Sequence, residues 1–394
     1  MKKIVLKWPC EQTPRLSEDP SPCLYIDVTT TNRFDYRSGI QRVVKNLTRE
    51  LLSRKGLSFQ VVPVFLKDDR IYFAARFSEK LLELQTGFLG EEQIIRLTKG
   101  SSILMPDMVW DFYSAYLPVL NQIQTNGGKV ITLIHDLLPY KYPQFFTGNI
   151  TKVFPEWLSQ VTRNSDQIVC TSQHVKNDLL AYGIIENIGK EMRISIVPPG
   201  AEIIETVDES DIRNDLLTIF STDQPIFSMI STIEPRKGHR TVLDAFENLW
   251  KEGWPFFLIF AGKIGWSKED TIFRIQNHPE KKKRFFFIEN PSDCEVNLIY
   301  QHSKAIIAAS HDEGFGLPII EAALHQVPTI ARDIPVFREV VGEGAFYFQS
   351  QGTPTLESQI LEMSKVDFRK SQNLVSKVKL ISWKESVNIL ISKF

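Results

Sequence analysis

Short apolar runs alternate with stretches of helical periodicity along almost the whole chain. The runs fall at 23–28, 59–65, 102–105, 129–134, 167–170 and 194–200 in the first half. In the second half they fall at 225–230, 256–260, 284–288, 304–308 and 328–331. Hydrophobicity that is continuous rather than alternating marks strands buried on both faces. Between them, Val43, Val44, Leu47, Leu51 and Leu52 share one face of a helix, and so do Val242, Leu243, Ala245, Phe246 and Leu249. Strands interleaved with helices predict parallel sheets covered on both sides. The fold class is therefore α/β, two doubly wound Rossmann-like domains in series, with about five strands each. Pro198-Pro199-Gly200 and the acidic stretch after it read as the boundary. This predicts a first domain over 1–198 and a second over 199–375. An amphipathic helix within 374–391 is expected to pack back and complete the first domain with residues 376–394. Sheets of this kind bind ligands outside the carboxyl ends of their strands. Two of them facing each other would set a donor site and an acceptor site across one cleft.

Composition keeps this picture and narrows it. The chain has 394 residues, 43% hydrophobic and 24% charged, with a formal net charge of −1. Such a balance gives no global attraction for nucleic acid. No apolar run approaches the roughly 18 residues that span a bilayer. The start, Met1-Lys-Lys-Ile-Val-Leu-Lys-Trp8, has an apolar run too short for a signal peptide and broken by Lys7. A cytoplasmic protein is expected. Arg42, Lys45, Arg49, Arg54 and Lys55 lie opposite an apolar helix face, which allows a peripheral contact with the inner face of the membrane. The four cysteines are scattered without a C-x-x-C pair, so neither zinc nor a disulfide framework is expected.

The most informative stretch is His311-Asp-Glu313-Gly-Phe-Gly-Leu-Pro-Ile-Ile-Glu321. It follows an apolar run and holds Gly314 and Gly316, with Pro318 suited to a helix start. The segment reads strand, glycine turn, helix N-terminus, a shape that presents backbone N–H groups and a positive dipole end to phosphate. Glu313 and Glu321 stand on either side of that turn. As anions they should avoid the phosphate and accept hydrogen bonds from hydroxyls beyond it. Sugar, phosphate, sugar describes a nucleotide sugar.

Three other constellations bear on this. Glu234-Pro-Arg-Lys-Gly238 places Arg236 and Lys237 at another strand-to-helix turn, where a guanidinium fork and an ammonium suit a diphosphate. His135-Asp136-Leu-Leu-Pro139 follows a buried strand. His135 there can bond a sugar hydroxyl or relay a proton, and a strand-end capping pair is the plainer alternative. In Arg37-Ser-Gly39-Ile-Gln-Arg42, Gly39 opens a helix and lets a ligand approach the backbone. Asp136 and Arg42 are candidates for the acceptor side. No Asp-x-Asp pair occurs, so the diphosphate charge falls to Arg236, Lys237 and the helix N-terminus. The expectation is no metal and no cofactor.

Glu313-Gly-Phe-Gly-Leu-Pro-Ile-Ile-Glu321 resembles the E-x7-E motif of retaining GT-B glycosyltransferases, in particular glycosyltransferase family 4. Ile233-Glu-Pro-Arg-Lys-Gly238, His135-Asp-Leu-Leu-Pro139 and Ser38-Gly-Ile-Gln-Arg42 are similar to further signatures of that family, in the expected order. The resemblance implies that Glu313 holds hydroxyls of the donor sugar and Glu321 the ribose. It implies that Arg236 and Lys237 bind the diphosphate with the backbone amides of Gly314, Phe315, Gly316 and Leu317. His135 would contact the transferred sugar and Gly39 the diphosphate. Where many members have Gly-Arg this chain has Ser231-Thr232, which shifts cationic work to Arg236. The resemblance also implies transfer with retention, as in bacterial mannosyl- and rhamnosyltransferases of surface polysaccharide assembly. GDP-mannose is the first donor to expect, and a saccharide or lipid-linked saccharide the acceptor. The alternatives are a nucleotide-sugar epimerase of GT-B fold, or a non-catalytic partner protein that binds nucleotide sugars. A dinucleotide oxidoreductase would need a third glycine that Gly314-Phe-Gly316 lacks.

Overall fold

A computed structural model of the chain describes residues 22–183, 193–203, 212–266 and 269–393. It forms two compact units. One comprises Met1–Lys141, Gly148–Pro199 and Trp383–Phe394, and the other Tyr142–Thr147 and Gly200–Ser382.

In the first unit the strands are β1 (Cys23–Asp27), β2 (Gln60–Lys67), β3 (Arg70–Phe73), β4 (Ser102–Met105), β5 (Val130–Ile134), β6 (Gln167–Cys170) and β7 (Arg193–Ile196). They form one sheet in the order β3-β2-β1-β4-β5-β6-β7. All neighbours run parallel except the edge strand β3, which turns back on β2. The strand order reverses between β1 and β4. In a doubly wound sheet such a reversal opens a crevice at the carboxyl ends of the strands.

The second unit holds β8 (Ile226–Ile230), β9 (Phe257–Gly262), β10 (Phe285–Glu289), β11 (Ala305–Ala308), β12 (Thr329–Arg332) and β13 (Ala345–Phe348). Their order is β10-β9-β8-β11-β12-β13, all parallel. The reversal here lies between β8 and β11, which pair directly through Ala305 with Phe227 and Ile306 with Ser228. Phe227, Phe246, Phe260 and Phe285 are wholly buried and fill one side of the sheet. These strands carry apolar side chains on both faces, which is why they appear in the sequence as unbroken apolar runs.

Two strands are absent from the pattern read along the chain. Arg70-Ile-Tyr-Phe73 is a short edge strand, and Ala345-Phe-Tyr-Phe348 closes the other sheet. The expected helix over 374–391 is also corrected. One helix, Phe368–Val375, ends at the second residue of that span, and another, Trp383–Ile391, begins only after 376–382. Val378 and Leu380 in the gap pack against a core cluster of the second unit, and Ala201 N donates to the Ile381 carbonyl (3.0 Å). The helix that joins the first unit is therefore Trp383–Ile391, not 376–394. The segment Tyr142–Thr147 groups with the second unit, where Trp266 Nε1 donates to the Phe145 carbonyl at 2.8 Å.

Trp383, Val387 and Leu390 of this last helix are buried, and Trp383 and Leu390 border Val43, Leu47, Leu133 and Val169. Ser386 Oγ donates to the Pro198 carbonyl (2.7 Å). The helix thus covers apolar side chains that the first sheet and the helix Gly39–Ser53 would otherwise expose. Replacing a buried Trp by Ala leaves a cavity as well as lost burial, at about 3–5 kcal/mol. Trp383→Ala should move the first unit's denaturant transition down by that amount. An unchanged midpoint would mean the helix adds nothing to that core.

Candidate functional site

The second unit's site is built where β8 and β11 end side by side. After β8 the chain passes through Glu234 into a short 3-10 turn, Pro235–Lys237. Gly238 follows with φ +80° and precedes the helix His239–Lys251. A Cβ on Gly238 would lie 2.3 Å from the Ala309 carbonyl oxygen, so only glycine allows the two strand ends this close. His311 N donates to the Arg236 carbonyl (2.8 Å), joining the turns by a backbone bond. After β11 the chain runs to Gly316, which caps the helix Leu317–Leu324 with φ +97°. A Cβ there would meet the Phe337 ring at 2.9 Å.

Glu313 sits between the two turns. Its Oε2 is 3.1 Å from Arg236 Nη1, and its Oε1 accepts from Lys237 Nζ and from Ser310 Oγ (2.7 Å). Arg236 Nε lies 2.9 Å from Glu234 Oε2, close enough for an ion pair though not aligned as a hydrogen bond. The Glu313, Arg236 and Lys237 side chains are only 12%, 16% and 13% exposed. Burial alone would raise the Glu313 pKa. The charges of Lys237 and Arg236 overcome it and hold the carboxyl at about 2. Next in the chain, His239 is buried beside Lys237, and burial followed by that charge takes its imidazole down to about 3. Its Nε2 lies 3.2 Å from Ser231 Oγ.

Glu321 stands one turn further along the same helix. Tyr300 OH donates to its Oε2 (2.9 Å). Arg236, Lys237, Glu313, the segment Gly314–Leu317 and Glu321 therefore share one unit and one strand-end region, as their spacing implied. In this structure the Glu313 carboxylate is paired with Arg236 and Lys237.

The first unit carries the remaining candidates. His135 and Asp136 follow β5. His135 Nε2 lies 2.7 Å from the Pro106 carbonyl. A carbonyl only accepts, so Nε2 bears the hydrogen and Nδ1 is the acceptor nitrogen. Burial keeps the ring neutral, at about pKa 4, despite that bond. A hydroxyl partner suits this ring better than a proton relay. Asp136 Oδ1 accepts from Leu138 N (3.0 Å), so the pair also caps the strand end. Gly39 is the first residue of the helix Gly39–Ser53, behind a capping box made by Ser38 and Gln41. Arg42 is half-buried on the same helix. Lys45 on that helix pairs with Asp35 (3.0 Å), and Arg54, the residue that follows the helix, pairs with Glu50 (3.1 Å).

Other residues at these ends carried no sequence signal. Ser310 and Tyr300 orient the two glutamates. At the β1–β4 reversal, Asp27 accepts from Tyr116 OH and from Thr29 Oγ1 (2.6 Å). Asp107 accepts from Thr31 N (2.7 Å). Burial, then the neighbouring Asp27, pushes Asp107 up to about 7. Each of these contacts joins positions whose spacing forms no motif.

Two family models match consecutive stretches of the chain, Glycosyltransferase Family 4 over 37–203 and Glycosyl transferases group 1 over 217–375. The chain belongs to the group 1, family 4 glycosyltransferases. This family 4 chain is 29% identical over 376 residues to the serotype-specific mannosyltransferase WbdA of Escherichia coli, covering 93% of this chain and 44% of that protein. It thus spans about half the length of the curated relatives it matches first. It is 24% identical to the O-antigen chain mannosyltransferase RfbU of Salmonella typhimurium, covering 69% of this chain and 75% of the relative. Among solved structures it shares its fold with Anabaena Alr3699/HepE in complex with UDP-glucose, at TM-score 0.61 and 13% identity, over 94% of this chain and 99% of that one. Sucrose-phosphate synthase from Thermosynechococcus elongatus has TM-score 0.62 at 13% identity, over 94% of this chain and 98% of that one. The fold is GT-B, two Rossmann-like domains. Among the described residues no helix is long and apolar enough to cross a membrane.

Burial and neighbouring charge on these groups set how stability should vary with pH. His135 and His239 take up protons near 6.5 when unfolded but only at about 4 and about 3 when folded. The unfolded chain therefore binds more protons below 6.5, and stability falls as pH drops through that window. Glu313 adds a further loss from 4.5 down to about 2. Denaturant titrations from pH 7 to pH 4 should show falling stability, with a shallower slope in His239→Gln. An identical slope in that variant would count against a buried neutral His239.

Proposed function

We propose that this family 4 chain transfers a hexose from a nucleotide-diphosphate sugar to a saccharide or lipid-linked saccharide, with retention of configuration and without a metal ion. The observation that carries the reading is the cluster of Arg236, Lys237 and Glu313 beside the N-terminus of the helix Leu317–Leu324. A diphosphate brought to this strand end meets two side-chain cations and the positive end of a helix. It would draw Lys237 and Arg236 away from Glu313. The carboxylate so released would turn to hydroxyls of the donor sugar, with Glu321 on the ribose and the amides of Gly314, Phe315, Gly316 and Leu317 on phosphate. Charge grows on the departing diphosphate as the glycosidic bond breaks, and groups fixed in advance around it lower the barrier. Gly39 would approach the diphosphate and neutral His135 the transferred sugar, with Asp136 and Arg42 toward the acceptor.

Mannosyltransferase relatives support GDP-mannose as the first donor to try, within bacterial surface polysaccharide synthesis. The UDP-glucose complex of a protein of like fold makes UDP sugars the second. Work at the cytoplasmic face of a membrane agrees with a lipid-linked acceptor.

Purified protein given GDP-mannose and a mannosylated acceptor should release GDP. Glu313→Ala and Lys237→Ala should each lower turnover about 100-fold or more. Near-normal rates in either variant would remove the assignment of roles. Chelation by EDTA should leave the rate unchanged. A loss restored by Mg²⁺ or Mn²⁺ would overturn the metal-free mechanism.

A further inference from the structure

Tyr300 is the last but two residue of the helix Asp293–His302, one element before β11, and it is only 1% exposed. Its ring packs with Ile306, Ala322 and Val327, and three of its contacts lie along the helix Leu317–Leu324 and its C-terminal cap. The hydroxyl donates to Glu321 Oε2 at 2.9 Å and lies 3.3 Å from the Pro318 carbonyl oxygen. The ring stacks on His325 with centroids 4.9 Å apart and planes at 8°. Positions 318, 321 and 325 are spaced by three and four residues, so they line one side of that helix and its C-terminal cap. Burial holds the His325 imidazole below its ordinary pKa, so at neutral pH the stack is between two uncharged rings. A phenol is a far weaker acid than a carboxyl group, so in this pair it is the donor and Glu321 the acceptor.

From this we infer that Tyr300 is a positioning residue for the nucleotide sugar. Its hydroxyl fixes the orientation of the Glu321 carboxylate before the ribose arrives. The inference rests on the proposed role of Glu321. A glutamate side chain otherwise has to give up rotamer freedom when the ligand binds. A bond made beforehand by a buried phenol, itself held by the His325 stack, removes that cost from the binding step. Tyr300 would act through Glu321 and touch no reacting atom. Its effect should therefore appear in nucleotide affinity, not in the rate of the bound complex.

Tyr300→Phe keeps the ring, its burial and the His325 stack, and removes only the hydroxyl. With GDP and UDP as probes in calorimetry, Tyr300→Phe should weaken the better-bound nucleotide about tenfold, the scale of one hydrogen bond to a charged group. In turnover assays the donor KM should rise by the same factor, with kcat within about twofold and the acceptor KM unmoved. The variant Tyr300→Phe with Glu321→Ala should bind no worse than Glu321→Ala alone, because the hydroxyl has nothing left to orient. An unchanged affinity in Tyr300→Phe overturns the inference, and so does a loss that adds in full to that of Glu321→Ala. If Tyr300→Phe lowers the melting temperature and kcat while leaving affinity alone, the tyrosine is merely structural. If Glu321→Ala itself binds normally, the ribose role of Glu321 falls and this inference falls with it. If the unaltered protein binds neither GDP nor UDP, the proposed function fails first.

Discussion

Two cations and a carboxylate, withdrawn together from water, hold the ends of β8 and β11 in one place. None of the three could be buried alone at acceptable cost, since an isolated charge in a protein interior loses several kcal/mol of hydration. Together they balance, with Glu234 beside Arg236 as a second anion. The backbone has to let them meet. Gly238 passes against the Ala309 carbonyl where any side chain would collide, and the His311 to Arg236 hydrogen bond locks the two turns. The direct pairing of β8 with β11 sets the distance between those turns. The helix that begins at Leu317, and with it Glu321, takes its starting point from the same turn.

The two units offer different chemistry at their strand ends. The second is rich in fixed charge. The first presents groups that burial keeps from charging easily, with neutral His135 and Asp107, whose pKa is about 7. A diphosphate asks for cations and amides, which the second unit's strand ends supply.

Much of the fold was legible because buried parallel strands leave an unbroken apolar signature. Most of the second unit's site was legible because strand, glycine and helix start leave another. The failures have physical causes. Arg70–Phe73 is a four-residue edge strand beginning just after Asp68-Asp69, and edge strands kept short and flanked by charge leave no unbroken apolar run. The residues between 376 and 382 carry apolar side chains that satisfy a helical pattern, yet Val378 and Leu380 are taken up by a core cluster in non-helical form. Glu313 and Lys237 belong to turns 76 residues apart, so their pairing left no signal in local spacing. Tyr300 belongs to a different element from Glu321, and a contact across 21 residues leaves no trace in local periodicity.

The helix Trp383–Ile391 gives the first unit a history as well as a core. Synthesis runs from the amino end at roughly 5–20 residues per second. The sheet β1–β7 ends at Ile196 and the helix at Ile391, so 195 residues follow before that helix is complete. On that scale the apolar patch around Val43, Leu47, Leu133 and Val169 waits roughly 10 to 40 seconds for its cover. During this interval the second unit, whose strands need nothing made later than Phe348, can complete its own sheet. The half that begins first is therefore the half that finishes last, and a chaperone would find its exposed surface there.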